Sequence, residues 1–266
     1  MSAASTDGAP EPQVLFEIVD GIGLLTLNNP AKRNAVSTPV LQGLKDRLKD
    51  ISSNPEVRVV ILRATGPVFS SGHDLHELLE GGEPEHAALF HMATEVMEAI
   101  RLLPQPVIAQ VQGMATAAGC QLVASCDLAV AAESARFATP GVRTGLFCTT
   151  PGVALARAVP QKKAMEMLLT GIPISAQEAL QFGLVSRVVP DDALAEQTME
   201  LARHIAQASS YTLAAGKRGF YRQIGRDYPE AYAAAEQVMT ENMQAHDARE
   251  GIDAFLTKRK PEWRDA

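Results

Sequence analysis

The sequence predicts an α/β protein with a helical C-terminal part. Short apolar, β-branched runs alternate with stretches of helical periodicity up to about residue 190, a pattern that pairs central strands in parallel. Beyond Pro151 the chain turns mainly helical. The 266 residues are 46% hydrophobic and 21% charged, which excludes a disordered or low-complexity chain. Such a length makes one large domain or two small ones and buries a core without a disulfide or metal staple.

Residues 1–12, MSAASTDGAPEP, lack Lys, Arg and an apolar core, so they are expected to be a disordered leader rather than a secretory signal or a mitochondrial presequence. Val14 to Val19, Asp20-Gly21 and Gly23 to Leu27 read as two antiparallel strands around a hairpin turn. Val40, Leu41, Leu44, Leu48 and Ile51 recur at helical spacing, with Ser37-Thr38-Pro39 as the start signal. Val57 to Leu62 is a buried strand, followed by a loop of Gly, Pro and Ser from Thr65 to Gly72. Leu89, Met92, Val96, Ile100 and Leu103 share one face of a helix over 85–103. Pro106 to Val111 is a further strand, Gly113 to Ala118 a turn of small residues, Gly119 to Ala124 a helix start, and Leu128 to Ala131 a third central strand. Helices follow over 164–169, 176–181, 193–208 and 229–246, interrupted by a strand over 184–189. The helices after residue 190 are expected to form a layer of their own, ending in the basic tail Lys258 to Arg264.

Several function classes are excluded. The net charge of −7 argues against general binding to nucleic acid or anionic membranes. Between Arg101 and Asp127 there are no charges, but Pro104, Pro106 and Gln105, Gln110, Gln112 and Gln121 do not suit a lipid-facing helix. Cys120, Cys126 and Cys148 form no C-x-x-C pair, so no metal site is expected. The odd count suits free thiols in a reducing compartment, and with the leader it predicts a cytoplasmic protein.

Two loops stand out chemically. Gly66 to Leu75 and Gly113 to Cys120 each leave a buried strand and enter a predicted helix. Both place backbone N–H groups at the positive end of a helix, and small residues let a ligand approach the backbone. Two such N–H groups aimed at one point form an oxyanion hole or an anion site; the alternative is a pair of ordinary turns packed by small residues. Neither loop has the G-x-x-x-x-G-K-[ST] or G-x-G-x-x-G pattern.

Four collinear motifs resemble the crotonase superfamily, the enoyl-CoA hydratase/isomerase family. They are Leu27 to Ala35 (L-N-x-P-x-x-x-N-A), Phe69 to Leu75 (F-x-[AS]-G-x-D-[LI]), Gly113 to Leu122 with Cys126-Asp127, and Leu168 to Ala179 with Gly183-Leu184-Val185. The resemblance runs from about Phe16 to Arg264. It implies a ClpP-like spiral of β-β-α turns over residues 13–190 and a C-terminal helical trimerisation region over 191–266, with a homo-trimer or a dimer of trimers as the assembly. It implies an acyl-CoA thioester as substrate, with no further cofactor and no metal. The thioester oxygen would lie between the N–H groups of His73 and Ala118. Ser70, Gly72 and Asp74 would border the same ligand, with Lys32 or Arg33 at its phosphates. Lys258, Lys260 and Trp263 resemble a tail that closes over the CoA nucleotide, often from a neighbouring subunit.

The departures from the family pattern bear on the reaction. Hydratases of the family use two glutamates around one water; here Gln121 and Gly141 occupy those positions. Gln does not titrate and Gly has no side chain, and each acid or base is worth about 10²–10⁴-fold. Lyase chemistry by that route is therefore doubtful, leaving decarboxylation, thioester hydrolysis or hydration by other groups, or a non-catalytic acyl-CoA-binding or regulatory protein. The pattern is most like a branch of enoyl-CoA hydratase domain-containing paralogues that also lacks the pair. Hydration of crotonyl-CoA beside the Gln121→Glu/Gly141→Glu double variant tests this: a slow native protein and a gain in the variant would mean that the N–H pair is intact and the missing carboxylates are the reason. His73 is the first candidate for a substitute group, because imidazole titrates near neutrality. Arg143 suits a carboxylate on the acyl group, Cys148 lacks a paired base, and His76, Glu77, His86 and His91 read as a solvated helix face.

Overall fold

The computed structural model describes residues 12–266; the expected leader falls almost wholly outside them. β1 (Val14–Val19) and β2 (Ile22–Leu27) form the expected hairpin, with Val14 opposite Leu27. Asp20 and Gly21 both take positive φ, 52° and 78°, as a tight turn between right-twisted strands requires. Next come α1 (Thr38–Ser52), β3 (Val59–Ala64), α2 (Leu75–Glu80), α3 (Glu83–Leu102) and β4 (Val107–Val111). After these are β5 (Met114–Thr116), α4 (Ala118–Ser125), β6 (Leu128–Ala132) and β7 (Arg136–Ala138). The remainder is α5 (Thr149–Ala158), α6 (Gln161–Thr170), β8 (Ile174–Ser175), α7 (Ala176–Phe182), β9 (Arg187–Val189), α8 (Leu194–Ile205), α9 (Ser210–Gln223), α10 (Tyr228–Asn242) and α11 (His246–Thr257).

Six strands form one sheet in the order β1-β2-β3-β4-β6-β9, antiparallel at β1–β2 and parallel at every other pair. Its central strands are buried on both faces, which is why they read as continuous apolar runs. Alternate residues sort into two cores. Leu25, Leu27, Val60, Leu62, Ala109 and Val111 join the larger one with α1 and α3. Ile22, Leu24, Val59, Ile61, Ile108 and Val130 join a smaller one closed by Leu194, Leu201 and Ala202 of α8. The second sheet, β5-β7-β8, is short and carries the loops of the site.

Three expectations change in detail. The turn over Gly113–Ala118 contains β5, which pairs in parallel with β7. The strand over 184–189 shortens to β9, because the N–H groups of Leu184 and Val185 both turn back to the Ala179 carbonyl and close α7. The helix over 229–246 is α10, and a separate α11 follows it. α11 and α9 hold the tail: the buried carboxylate of Asp247 accepts hydrogen bonds from the N–H groups of Arg264 and Asp265, each at 2.8 Å. No helix among the described residues is long and apolar enough to cross a membrane.

Candidate active site

Asn34 clamps the site together. It is buried, and its side-chain amide donates to the carbonyls of Thr65 and Val68, both at 2.8 Å, while its side-chain oxygen accepts from the Asn29 N–H. The Ser70 hydroxyl donates to the Asn34 carbonyl, and the Ser71 N–H to that of Arg33. The first loop is then laced to the second: the Ser70 N–H donates to Met114 O and the Thr116 N–H to Ser70 O. Sequence reasoning quoted Asn34 only as part of a motif; a side chain that closes three backbone gaps at once shows only in three dimensions.

Gly72 is where the loops touch. Its φ is +85°, and a Cβ there would lie 2.8 Å from Ala117 Cβ and 3.3 Å from Ala118 N. Only glycine permits this approach of the two loops, and the residues that carry the expected N–H groups, His73 and Ala118, line the same cavity. Among the described residues neither N–H has a hydrogen-bond partner. Ala118 opens α4, so its N–H also lies at the positive end of that helix. Ala117 pays for the geometry with φ 49° and ψ −117°, a strained conformation for alanine, held by its N–H to Ala138 O.

The pair sits in the wall of a cavity of about 500 Å³. Leu75, Leu78, Phe90, Leu146, Phe147 and Pro151 make it mainly apolar, with His73, Arg143 and Cys148 as its titratable groups among the described residues. The His73 ring points one nitrogen back into the fold, Nδ1 lying 3.1 Å from the Val36 carbonyl oxygen, and it makes a T-shaped contact with Phe90, ring centroids 5.6 Å apart. Burial pushes the imidazole pKa below its usual value; the Val36 hydrogen bond and the Glu77 charge oppose that without cancelling it. Burial also raises the Cys148 thiol, and the hydrogen bond from the Gly141 N–H opposes it.

Gly141 lines the cavity, and a glutamate there has no room unless the chain shifts. A Cβ on Gly141 would run into the Leu146 carbonyl and lie 2.7 Å from Cys148 Sγ. The chain from 141 to 148 folds back into the space a side chain would need. Gln121 is buried, and its Oε1 has no partner, yet it is not among the lining residues. Arg143 lines the wall and is steadied by a hydrogen bond from Nε to Thr170 O at 3.3 Å.

The remaining candidates take other places. Asp74 is buried and caps α2 by accepting from the His76 N–H at 2.9 Å; that bond first, and Lys32 after it, hold its carboxyl below the usual range although burial opposes them. Lys32 is 63% exposed, with Nζ 3.2 Å from Asp74. Glu77 accepts from the Thr38 N–H at the start of α1, where Ser37 is the N-cap residue without a side-chain hydrogen bond. His86 bonds to Leu78 O, and His76 and His91 are exposed. Lys258 and Lys260 are exposed, and Trp263 is half-buried with Nε1 donating to Gln207 O at 2.7 Å. Lys32, Lys258, Lys260 and Trp263 do not line the cavity within this chain.

Comparison with known proteins identifies relatives along nearly the whole chain. A family model described as enoyl-CoA hydratase/isomerase matches residues 17–266. The chain is 54% identical to human "Enoyl-CoA hydratase domain-containing protein 3, mitochondrial" over 263 residues, covering 98% of this chain and 86% of that protein. It is 34% identical to the 2,3-dehydroadipyl-CoA hydratase of Escherichia coli K12, covering 91% of this chain and 94% of that protein. A crystal structure of a Mycobacterium smegmatis enoyl-CoA hydratase superimposes with a TM-score of 0.93 at 47% identity, covering 95% of this chain and 99% of that one. The mouse and Xenopus laevis counterparts of the human protein are likewise named mitochondrial. These names overturn the cytoplasmic expectation, which rested on the composition of the leader and the cysteine count.

Proposed function

The chain belongs to the enoyl-CoA hydratase/isomerase family and shares the crotonase fold, and from that premise we propose that it is an acyl-CoA enzyme that holds the thioester oxygen between the N–H groups of His73 and Ala118. The observation that supports this is the close contact of the two loops at Gly72, with His73 and Ala118, whose N–H groups have no partner among the described residues, lining one apolar cavity. Charge that develops on the oxygen during reaction is stabilised by donors already in place, an effect worth about 3 kcal/mol per donor. The acyl-CoA is the substrate, and no other cofactor is needed. Arg143 suits an acyl group that carries a carboxylate, as the substrate in the name of the Escherichia coli relative does. The absence of Asp and Glu from the described residues that line the cavity supports a reaction other than two-carboxylate hydration. The mitochondrial names of the relatives favour that compartment for this chain as well.

Isotope-edited infrared spectroscopy of a ¹³C-labelled thioester carbonyl tests the proposal directly. Two hydrogen bonds to the oxygen shift the carbonyl stretch to lower frequency on binding. They also make butyryl-CoA bind more tightly than its S-butyl thioether, which lacks the oxygen. An unshifted band with equal affinities would reject the oxyanion reading.

A second reading is a non-catalytic acyl-CoA-binding protein, favoured by the absence of any carboxylate in the cavity wall among the described residues. It predicts the same infrared shift with no turnover of any thioester. Turnover of one acyl-CoA class would exclude it.

A further inference from the structure

A second cavity, of about 330 Å³, lies away from the one described above. It is bounded by the end of α3, the turn at Leu103-Pro104 that leads into β4, and one face of α9. The two cavities share no residue. The loops of the first follow the ends of β3 and β4, whereas this cavity precedes the start of β4, so that strand, about 16 Å long, stands between them. The volume falls in the range of small-ligand sites.

Arg101, Lys217, Arg218 and Arg222 line it, a concentration of positive charge in a chain of net charge −7. Lys217 is a fixed strut. Its Nζ donates to the carbonyls of Ile100 and Gln105, at 3.1 and 3.0 Å, and to Asp127 at 2.7 Å, which uses all three of its protons. The other Asp127 oxygen accepts from the Tyr221 hydroxyl at 2.9 Å. Arg101 pairs with Glu98 at 3.2 Å and lies over the Tyr221 ring, 5.5 Å from its centroid. Arg218 and Arg222 differ: among the described residues neither guanidinium has an ion-pair or hydrogen-bond partner. They stand four residues apart on α9, the spacing at which like charges repel across a helix turn. With Asp127 and Glu98 set against the four cations, the wall keeps a surplus of two positive charges. Leu102, Pro104 and Ala214 supply apolar surface beside it.

We infer that this cavity binds a phosphate monoester, with Arg218 and Arg222 as the groups that hold the phosphate. A guanidinium presents its N–H groups in a planar fork that matches two phosphate oxygens. A phosphate monoester carries close to two negative charges at neutral pH, which balances the surplus, whereas a carboxylate carries one. The apolar part of the wall takes the organic body of the ester. The network of Lys217, Asp127 and Tyr221 fixes the floor before the ligand arrives, so the cost of ordering falls on two arginine side chains. The assignment is independent of the thioester reading, because none of these residues lines the first cavity.

Isothermal titration calorimetry of the full chain with phenyl phosphate, inorganic phosphate and benzoate tests it, with and without saturating butyryl-CoA. Phenyl phosphate is expected to bind at one site per chain, more tightly than the other two, and equally well when butyryl-CoA is present. Hydrogen exchange is expected to slow over residues 101–104 and 214–222 as it binds. Arg218→Gln/Arg222→Gln is expected to weaken binding by about 10-fold or more. Both arginines are exposed, so this variant should melt as the wild type does. Arg157→Gln/Lys162→Gln removes two exposed charges outside the cavity and is expected to leave binding unchanged. No binding of phenyl phosphate overturns the proposal, as does an equal loss in both double variants, which would mean general attraction to positive charge. Displacement by butyryl-CoA would put the ester in the first cavity and overturn it too. Benzoate bound as tightly rejects the phosphate class, and inorganic phosphate bound as tightly rejects the ester.

Discussion

At the scale of single residues, Gly141 separates the site from a simple loss of function. The position reads as a glutamate trimmed to hydrogen, yet the Leu146 carbonyl and Cys148 Sγ occupy the space next to its Cα. Gly141→Glu is therefore expected to destabilise the protein by about 1–3 kcal/mol through overpacking, without adding hydration of crotonyl-CoA. Thermal melts and an enoyl absorbance assay of the single variant check both halves. A stable variant that hydrates crotonyl-CoA would show that the 141–148 segment yields easily. His73 makes the complementary case, since the direction of its ring, which the sequence leaves open, is set by the Val36 carbonyl and the Phe90 contact.

At the scale of elements, the C-terminal tail is fastened rather than loose. Asp247 at the start of α11 receives the N–H groups of Arg264 and Asp265, and Asp265 in turn binds Arg58 and the Ser210 N–H. Burial alone would raise the Asp247 carboxyl, but hydrogen bonds from Arg264, Ser209, His246 and Asp265 outweigh it and hold the pKa at about 2. A carboxyl with a lowered folded pKa contributes its stability above the unfolded value of 3.8 and loses it as pH falls toward 2. Asp247→Asn is expected to cost about 3 kcal/mol near neutral pH. The gap to wild type should close between about pH 4 and pH 2 in denaturant titrations; a gap constant over that range would show that the charge does not hold the tail. The family resemblance implies a tail over a nucleotide, often that of a neighbouring subunit; within this chain Trp263 rests on Gly251 and bonds to Gln207.

At the scale of the whole molecule, the single chain leaves much apolar surface on α9, α10 and α11. Phe220, Ile224, Tyr228, Tyr232, Phe255 and Leu256 are all more than half exposed. Patches of this kind mark association surfaces in stable proteins. Sedimentation equilibrium at micromolar concentration is expected to give a multiple of three chains. A monomer there would refute the assembly implied by the sequence resemblance.

The sequence by itself determined the α/β class, the β1–β2 hairpin, the parallel pairing of the central strands, the family, and the two positions where its glutamates are missing. All of these are local: a period of two or 3.6, a turn dipeptide, or a motif whose spacing survives without knowledge of contacts. The tertiary structure alone decided that Asn34 ties three segments together, that His73 Nε2 is left unpaired, that a carbonyl fills the place of a side chain at Gly141, and that the tail is clasped by Asp247. Each depends on groups far apart in the chain, such as Val36 with His73 or Asn34 with Thr65. A side chain's direction is set by the partners that folding brings to it, and those partners leave no periodic trace in the sequence.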